Sequence, residues 1–173
     1  MPHLLFTIGH SNRTLDEFVG LLRKNGIEKV VDIRTIPRSR HNPRFNKDDL
    51  RRSLKDRRIG YRHLKKLGGL RHSKKDSVNL GWRNLSFRGF ADHMATNEFK
   101  EGLNELKKIA SKKKTAIMCA EALPWQCHRS LVADALTVQK WRVFHIIGPG
   151  KAYEHKLTKF LRVRKGKIVY PGK

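Results

Sequence analysis

The sequence predicts an α/β fold: an open, mostly parallel sheet of about four strands with helices on both faces. Two observations carry this expectation. Short apolar runs at residues 4–8, 29–34, 115–118 and 142–147 each end in polar or glycine residues, as strands buried on both faces do. Between them lie segments whose apolar residues recur at helical spacing, so strand and helix alternate along the chain.

The first run ends in Gly9-His10-Ser11, a strand leaving into a loop. Thr14-Leu15-Asp16-Glu17 reads as a capping box, followed by Phe18, Val19 and Leu22 on the same helical face as Leu15. Asn25-Gly26 closes that helix. The second run contains Val30, Val31 and Ile33. Pro37 and Pro43 then mark a loop, and Asn46 with Asp49 opens a basic helix reaching about Arg58. Residues 60–90 are rich in glycine and basic residues with weak periodicity, and read as part of a basic insertion spanning about 35–90. Regularity returns at 98–110, where Phe99, Leu103, Leu106 and Ile109 form a stripe. The third run ends at Cys119-Ala120-Glu121. A loop with Pro124 leads to a helix over about 128–140 that uses Leu131, Val132, Ala135 and Leu136. Gly148-Pro149-Gly150 stops the fourth run. The tail from 151 to 173 holds an amphipathic stretch with Leu157, Phe160 and Leu161, then a short strand at 167–170. No repeat or low-complexity linker interrupts residues 1–173, so a single domain is expected.

The chain has 173 residues, with 39 Lys+Arg against 15 Asp+Glu, a net charge of +24. Residues 34–75 carry 16 Lys+Arg against Asp48, Asp49 and Asp56, a net of +13. Residues 151–173 carry eight against Glu154, a net of +7, so two stretches hold 20 of the 24 charges. Such clustering predicts a basic face. Its natural partner is nucleic acid, DNA or RNA, because neutralising several phosphates releases counterions. A hydrophobic fraction of 38% can still supply a core, which excludes a disordered basic tail. No apolar run approaches the roughly 20 residues that span a bilayer, and no basic stretch is backed by a broad apolar face, so no membrane partner is expected. The opening residues lack a basic n-region and a cleavage site. Two cysteines, Cys119 and Cys127, fit a reducing compartment, and the expected location is cytoplasmic.

Open parallel sheets bind ligands beyond the carboxyl ends of their strands. Those ends carry His10, Asn12 and Arg13, Asp32 with Arg34, Cys119 with Glu121, and His145, while Cys127-His128-Arg129 starts the next helix. His10, Asp32, Cys119, Glu121 and His128 are therefore the candidate acids, bases and nucleophile. Asp32 reads equally as a helix cap, and His10 as a satisfied loop histidine. Cys119 admits three readings: a small buried hydrophobe, a thiolate nucleophile beside a helix N-terminus and Arg129, or a metal ligand with Cys127 and His128. Adjacent Cys127-His128 is a poor chelate and a seven-residue gap between cysteines is unusual for zinc, so no metal and no other cofactor is expected. Asn12, Arg13, Arg34, Arg38, Trp82, Arg83, Arg88 and Arg129 are the candidates for phosphate or nucleic acid. Arg129 would sit beside free backbone N–H groups that already favour an anion. Trp82, Phe87, Phe90 and Trp125 interleave with these cations and suit stacking on unpaired bases.

Thr7-Ile8-Gly9-His10-Ser11-Asn12, Val31-Asp32-Ile33-Arg34, Trp82-Arg83-Asn84, Phe87-Arg88-Gly89, and Cys119-Ala120-Glu121 with Cys127-His128-Arg129 occur in this order. Together they resemble, over nearly the whole chain, the family catalogued as domain of unknown function 488. The resemblance implies a compact α/β domain and a shared site, and transfers no reaction. A fainter likeness is to rhodanese-type domains, in which an Asp-x-Arg ends an early strand and a later strand ends in a catalytic cysteine, the place Cys119 would take. The rhodanese loop is a tight six-residue anion cradle ending in arginine. Here Arg129 lies ten positions after Cys119, with Pro124 and Trp125 between.

Three functions follow as expectations. The first is a nucleic-acid-binding protein whose strand-end pocket recognises or processes a nucleotide, base or phosphate. The second is a thiol-dependent, rhodanese-like enzyme acting on a small anionic substrate. The third is a non-catalytic RNA- or ribosome-associated module.

Overall fold

Strand β1 (Leu4–Gly9) alternates its side chains between two apolar cores, and that alternation sets the architecture. Phe6 and Ile8 enter one core, Leu5 the other. The computed structural model describes residues 3–173. After β1 come α1 (Leu15–Lys24), β2 (Lys29–Asp32), α2 (Lys47–Asp56), β3 (Gly60–His63), α3 (Leu85–His93) and α4 (Asn97–Lys112). Then follow β4 (Thr115–Cys119), α5 (Arg129–Val138), β5 (Arg142–Ile146), β6 (Tyr153–Glu154), β7 (Arg162–Arg164) and β8 (Lys167–Val169).

Six strands form the central sheet in the order β3-β2-β4-β1-β5-β6, all neighbours parallel except the antiparallel pair β5 and β6. Strands β7 and β8 make a separate hairpin. Helices α1 and α2 bury Phe18, Leu22, Leu50 and Leu54 on one sheet face. Helices α3, α4 and α5 bury Phe90, Leu103, Leu106, Leu131 and Leu136 on the other. The chain therefore leaves β1 over the first face towards β2, and leaves β4 over the second face towards β5. β1 and β4 are adjacent, and beyond Gly9 and Cys119, which are paired in register, their loops stay joined by hydrogen bonds from His10 N–H to the Cys119 carbonyl and from Ser11 N–H to the Ala120 carbonyl.

Two expectations need correction. The sheet has six strands rather than about four, and residues 60–90 are not featureless, since they begin with the edge strand β3 and end in α3. Strand β3 carries Gly-Tyr-Arg-His on an edge, where only one flank needs pairing and no apolar run is required. Helix α3 starts at Asn84, whose side chain accepts hydrogen bonds from the backbone N–H groups of Ser86 and Phe87. The Thr14–Glu17 capping box is present with both of its hydrogen bonds.

The charge map also differs from a single basic face. Helix α2 lies on the first sheet face, while the chain end, through Leu161 and Tyr170, packs into the core of the second. Arg62, Lys66 and Arg71 pair with Glu105, Glu101 and Glu98 of α4. Short-range pairing and sheet topology thus separate charges that lie close in sequence. Among the described residues, no helix is long and apolar enough to cross a membrane.

Candidate active site

Gly9 ends β1 directly against the loop that follows β4: a Cβ there would stand 1.7 Å from the Glu121 carbonyl oxygen. Only glycine permits this approach. The next turn is held by Ser11, in the left-handed region at φ 47°, uncommon for a residue other than glycine. With the two loops this close, the first residue of α5 reaches the end of β4.

That residue is Arg129, the largest fully buried side chain. Its Nη1 donates to Cys119 Sγ at 2.6 Å and to the Glu121 carbonyl, Nη2 donates to the Ala122 carbonyl at 2.8 Å, and Nε donates to Thr7 Oγ1 at 3.2 Å. No carboxylate pairs with it among the described residues. The Cys127 thiol donates to Cys119 Sγ at 2.6 Å. Burial alone would raise the Cys119 pKa, but the Cys127 donor and the Arg129 charge outweigh it and lower it to about 7. Cys127 moves the opposite way, well above the ordinary thiol range, through burial and its bond to Cys119. Of the two sulfurs, Cys119 is the one whose partners favour ionisation, and Cys127 is the donor in their hydrogen bond.

His128 adjoins them. Its Nε2–H donates to the Ile33 carbonyl at 2.9 Å, which leaves Nδ1 as an acceptor 3.5 Å from Cys127 Sγ. Burial pushes its pKa down to about 4, so the ring is neutral. A Cβ on Gly69 would lie 2.5 Å from Nδ1, so the ring is clamped by bare backbone.

Asp32 and Arg34 form a second buried pair. Arg34 Nε and Nη2 donate to Asp32 Oδ1 and Oδ2 at 2.9 and 2.7 Å, and Nη2 also donates to the Phe45 carbonyl at 2.7 Å. The Tyr61 hydroxyl donates to Asp32 Oδ2. His10 donates from Nδ1 to the Ser11 carbonyl at 2.9 Å and stacks on Phe45, leaving Nε2 3.4 Å from Arg34 Nη1. Burial lowers its pKa. Asp32 and His10 are thus committed to holding Arg34.

Cys119, Glu121, His128, Arg34 and Arg38 line one cavity of about 410 Å³ at the ends of β2 and β4. Its rim carries Ile36 and Leu70, 58% and 68% exposed. His10, Asn12 and Arg13 line a neighbouring cavity of about 470 Å³ together with Arg44, and Ala120 borders both. Asp32 and Arg129 are fully buried and line neither. Arg13 donates to the Gly9 and Ile147 carbonyls, and Arg88 to the Trp82 carbonyl. Arg38 and Arg83 are exposed and make no side-chain hydrogen bond among the described residues. Trp82 lies apart, lining a third cavity beyond β5. Among the described residues, no group of three or more His, Cys, Asp or Glu has metal-binding geometry.

Sequence reasoning missed the support behind Arg129. The Thr7 hydroxyl donates to His145 Nδ1 at 2.6 Å, His145 Nε2–H to His155 Nδ1 at 2.8 Å, and His155 Nε2–H to Asp134 Oδ1 at 2.7 Å. Asp134 Oδ2 accepts from the Tyr170 and Thr158 hydroxyls at 2.8 and 2.7 Å. Burial drives His145 down to about 3, so it is neutral. A signal was present: Asp134 is the one charge within the run Leu131-Val132-Ala133-Asp134-Ala135-Leu136, and a carboxylate in a buried helix face needs donors.

These features define a class: a doubly covered, mostly parallel-sheet protein with a buried thiol pair at the carboxyl ends of its strands. The chain belongs to the family described as domain of unknown function DUF488, which matches residues 14–136. That span contains Asp32, Arg34, both cysteines, Arg129 and Asp134, whereas Thr7, His10, His145 and His155 fall outside it. Comparison with curated proteins and with solved structures finds no match.

Proposed function

We propose that the protein is a thiol-dependent enzyme acting on an anionic substrate, with Cys119 as its nucleophile. One observation carries this reading: a fully buried arginine, Arg129, meets a cysteine sulfur and no carboxylate. An uncompensated buried charge costs several kcal/mol, so Arg129 favours an ionised Cys119. In the reaction the Cys119 thiolate forms a bond to the electrophilic atom of the substrate. The leaving group departs with the electron pair and takes the Cys127 proton. Water then adds to the adduct, returning a proton to Cys127 and restoring the thiolate. Arg38 on the cavity wall supplies the free cation for the anionic group.

Alkylation rates against pH test this. Cys119 is expected to react with a midpoint well below the ordinary 8.5, and faster with iodoacetate than with neutral iodoacetamide relative to a free thiol. Arg38→Ala is expected to remove the iodoacetate preference while leaving the midpoint in place. A midpoint at or above 8.5 would overturn the reading.

A second reading, in which the anion is a nucleic acid, draws on Arg38 and Arg44, exposed cations bordering the two adjoining cavities. It expects a single-stranded oligonucleotide to protect Cys119 from alkylation, with protection falling steeply between 50 and 200 mM salt. Unchanged alkylation at 50 mM salt would remove it.

A further inference from the structure

We propose that Cys119 and Cys127 form a redox couple that reduces a hydroperoxide, passing through an internal disulfide that a small dithiol reopens. They are the chain's two cysteines, both free, and their sulfurs lie 2.6 Å apart beyond the end of β4. A disulfide bond is about 2.05 Å long, so closing it asks for a shift of about half an ångström. The loop between them is pinned. Arg129 donates to the Glu121 and Ala122 carbonyls, Cys127 N–H donates to the Pro124 carbonyl at 3.1 Å, and Gln126 N–H to the Leu123 carbonyl at 3.1 Å. Thiols held this way meet at an effective concentration that no thiol of a second molecule matches, which favours the internal bond over a mixed disulfide.

Both cysteines line the cavity at the ends of β2 and β4, yet they are only 2% and 5% exposed. So small an opening suits an electrophile that is slender at its reacting end, and a hydroperoxide presents a single terminal oxygen. The Cys119 thiolate attacks that oxygen. An S–O bond forms, the O–O bond breaks, and the alcohol or water leaves with the electron pair, taking the Cys127 proton. Arg129, whose Nη1 is 2.6 Å from the attacking sulfur, is the buried cation beside that developing charge. The Cys127 sulfur then attacks the sulfenic sulfur of Cys119: the S–S bond forms, the S–O bond breaks, and hydroxide leaves to water. The dithiol supplies the two electrons that reopen the bond and is itself oxidised to a disulfide. Ile36, Leu70 and Phe87 on the cavity wall offer an apolar surface to the organic group of an alkyl or aryl hydroperoxide. The couple rests on the proximity of two sulfurs, whereas the proposed function rests on the charge of one.

Reduced protein treated with a small excess of hydrogen peroxide, then denatured for thiol counting and intact mass, tests the couple. Both thiols are expected to disappear together, with the loss of two hydrogens and no added oxygen, and dithiothreitol is expected to restore them. At pH 7 the reaction is expected to run at least about tenfold faster than that of free cysteine, of which only a few per cent is thiolate. Cys127→Ser is expected to stop at a Cys119 sulfenic acid that dimedone captures and that excess peroxide carries to sulfinic acid. Cys119→Ser is expected to keep its Cys127 thiol. With dithiothreitol as reductant, faster consumption of cumene hydroperoxide than of hydrogen peroxide assigns the couple to organic hydroperoxides, and the reverse order assigns it to hydrogen peroxide. Two surviving thiols, a rate no greater than that of free cysteine, or wild-type protein that takes up oxygen as fast as Cys127→Ser would overturn the couple. Such a failure beside a low alkylation midpoint leaves the proposed function standing. A disulfide formed rapidly in a protein whose midpoint is at or above about 8.5 removes that function and keeps the couple.

Discussion

Arg34 and Arg129 are both buried at the carboxyl ends of the parallel strands, yet their charges are met in different ways. Arg34 has a bidentate carboxylate, Asp32, two residues away on the same strand end. Arg129 has two backbone carbonyls, a threonine hydroxyl and a cysteine sulfur. The Asp32 carboxylate meets Arg34 through both of its oxygens, so the first pair is a fixed part of the fold. A sulfur partner can gain or lose its proton near neutrality, so the second pair can respond to what enters the cavity. The same cation, in nearly the same layer, serves structure in one place and reactivity in the other.

The most damaging way to break this contrast is to remove the fixed anion. Asp32→Ala leaves Arg34 buried with no carboxylate and strands the Tyr61 hydroxyl. We expect a loss of about 3–5 kcal/mol of unfolding free energy, read from denaturant midpoints at pH 7. A loss below about 1 kcal/mol would mean that water reaches Arg34 and that the two arginines do not differ as described.

Acid comes next in size, and it acts on the Arg129 side. His145 and His128 are buried neutral, with pKa values lowered to about 3 and about 4 from 6.5. Below pH 6.5 the unfolded chain binds protons that the native state refuses, so stability falls as pH falls through the window from 6.5 towards 4. Two such groups amount to about 3 kcal/mol by pH 5.5, at about 1.4 kcal/mol per unit each. Denaturant midpoints at pH 7 and 5.5 measure it. Replacement of His145 by Gln, which retains hydrogen-bonding atoms and does not titrate, is expected to remove about half of the acid loss.

Cys119→Ser then tests the responsive anion itself. A thiol whose native pKa lies near 7, below the value near 9 of an unperturbed thiol, adds stability that is complete above 9 and lost as pH falls through 7. The wild-type protein is therefore expected to gain on the serine variant by about 2 kcal/mol between pH 7 and 9, since serine does not ionise there. Parallel stability curves for the two proteins over this window would show that Cys119 remains a thiol.

Much of this contrast was legible before the structure, though unevenly. Four parallel strands announced themselves because burial on both faces forces continuous apolar runs, and the carboxyl-end rule then placed Asp32, Arg34 and Cys119 near one another. The proximity of Cys127 to Cys119 was not legible, because it depends on how the 120–128 loop folds over Gly9. Strand β3 escaped notice because an edge strand tolerates Tyr61, Arg62 and His63. Charge clustering along the chain misled about space, since α2 and the chain end lie on opposite sheet faces and α4 neutralises part of the stretch between. The support for Arg129 comes from Thr7, Asp134, His145 and His155 on separate elements, and although Asp134 and His145 each interrupt an apolar run, nothing in the sequence joins them.

The smallest effect sharpens the comparison most. Cys127 makes no bond to the Arg129 guanidinium; it donates to the sulfur that the guanidinium holds. Cys127→Ala removes that donor while Arg129 stays in contact with Cys119. One hydrogen bond to an ionised group is worth about 1.5 kcal/mol, equivalent to about one pH unit. The alkylation midpoint of Cys119 is therefore expected to rise by about that much, while thermal stability at pH 7 changes little. An unchanged midpoint would assign the whole depression to Arg129, and Cys127 would then serve packing rather than the proton. A rise of two units or more would assign the depression to the thiol pair, leaving Arg129 as a structural brace no different in kind from Arg34.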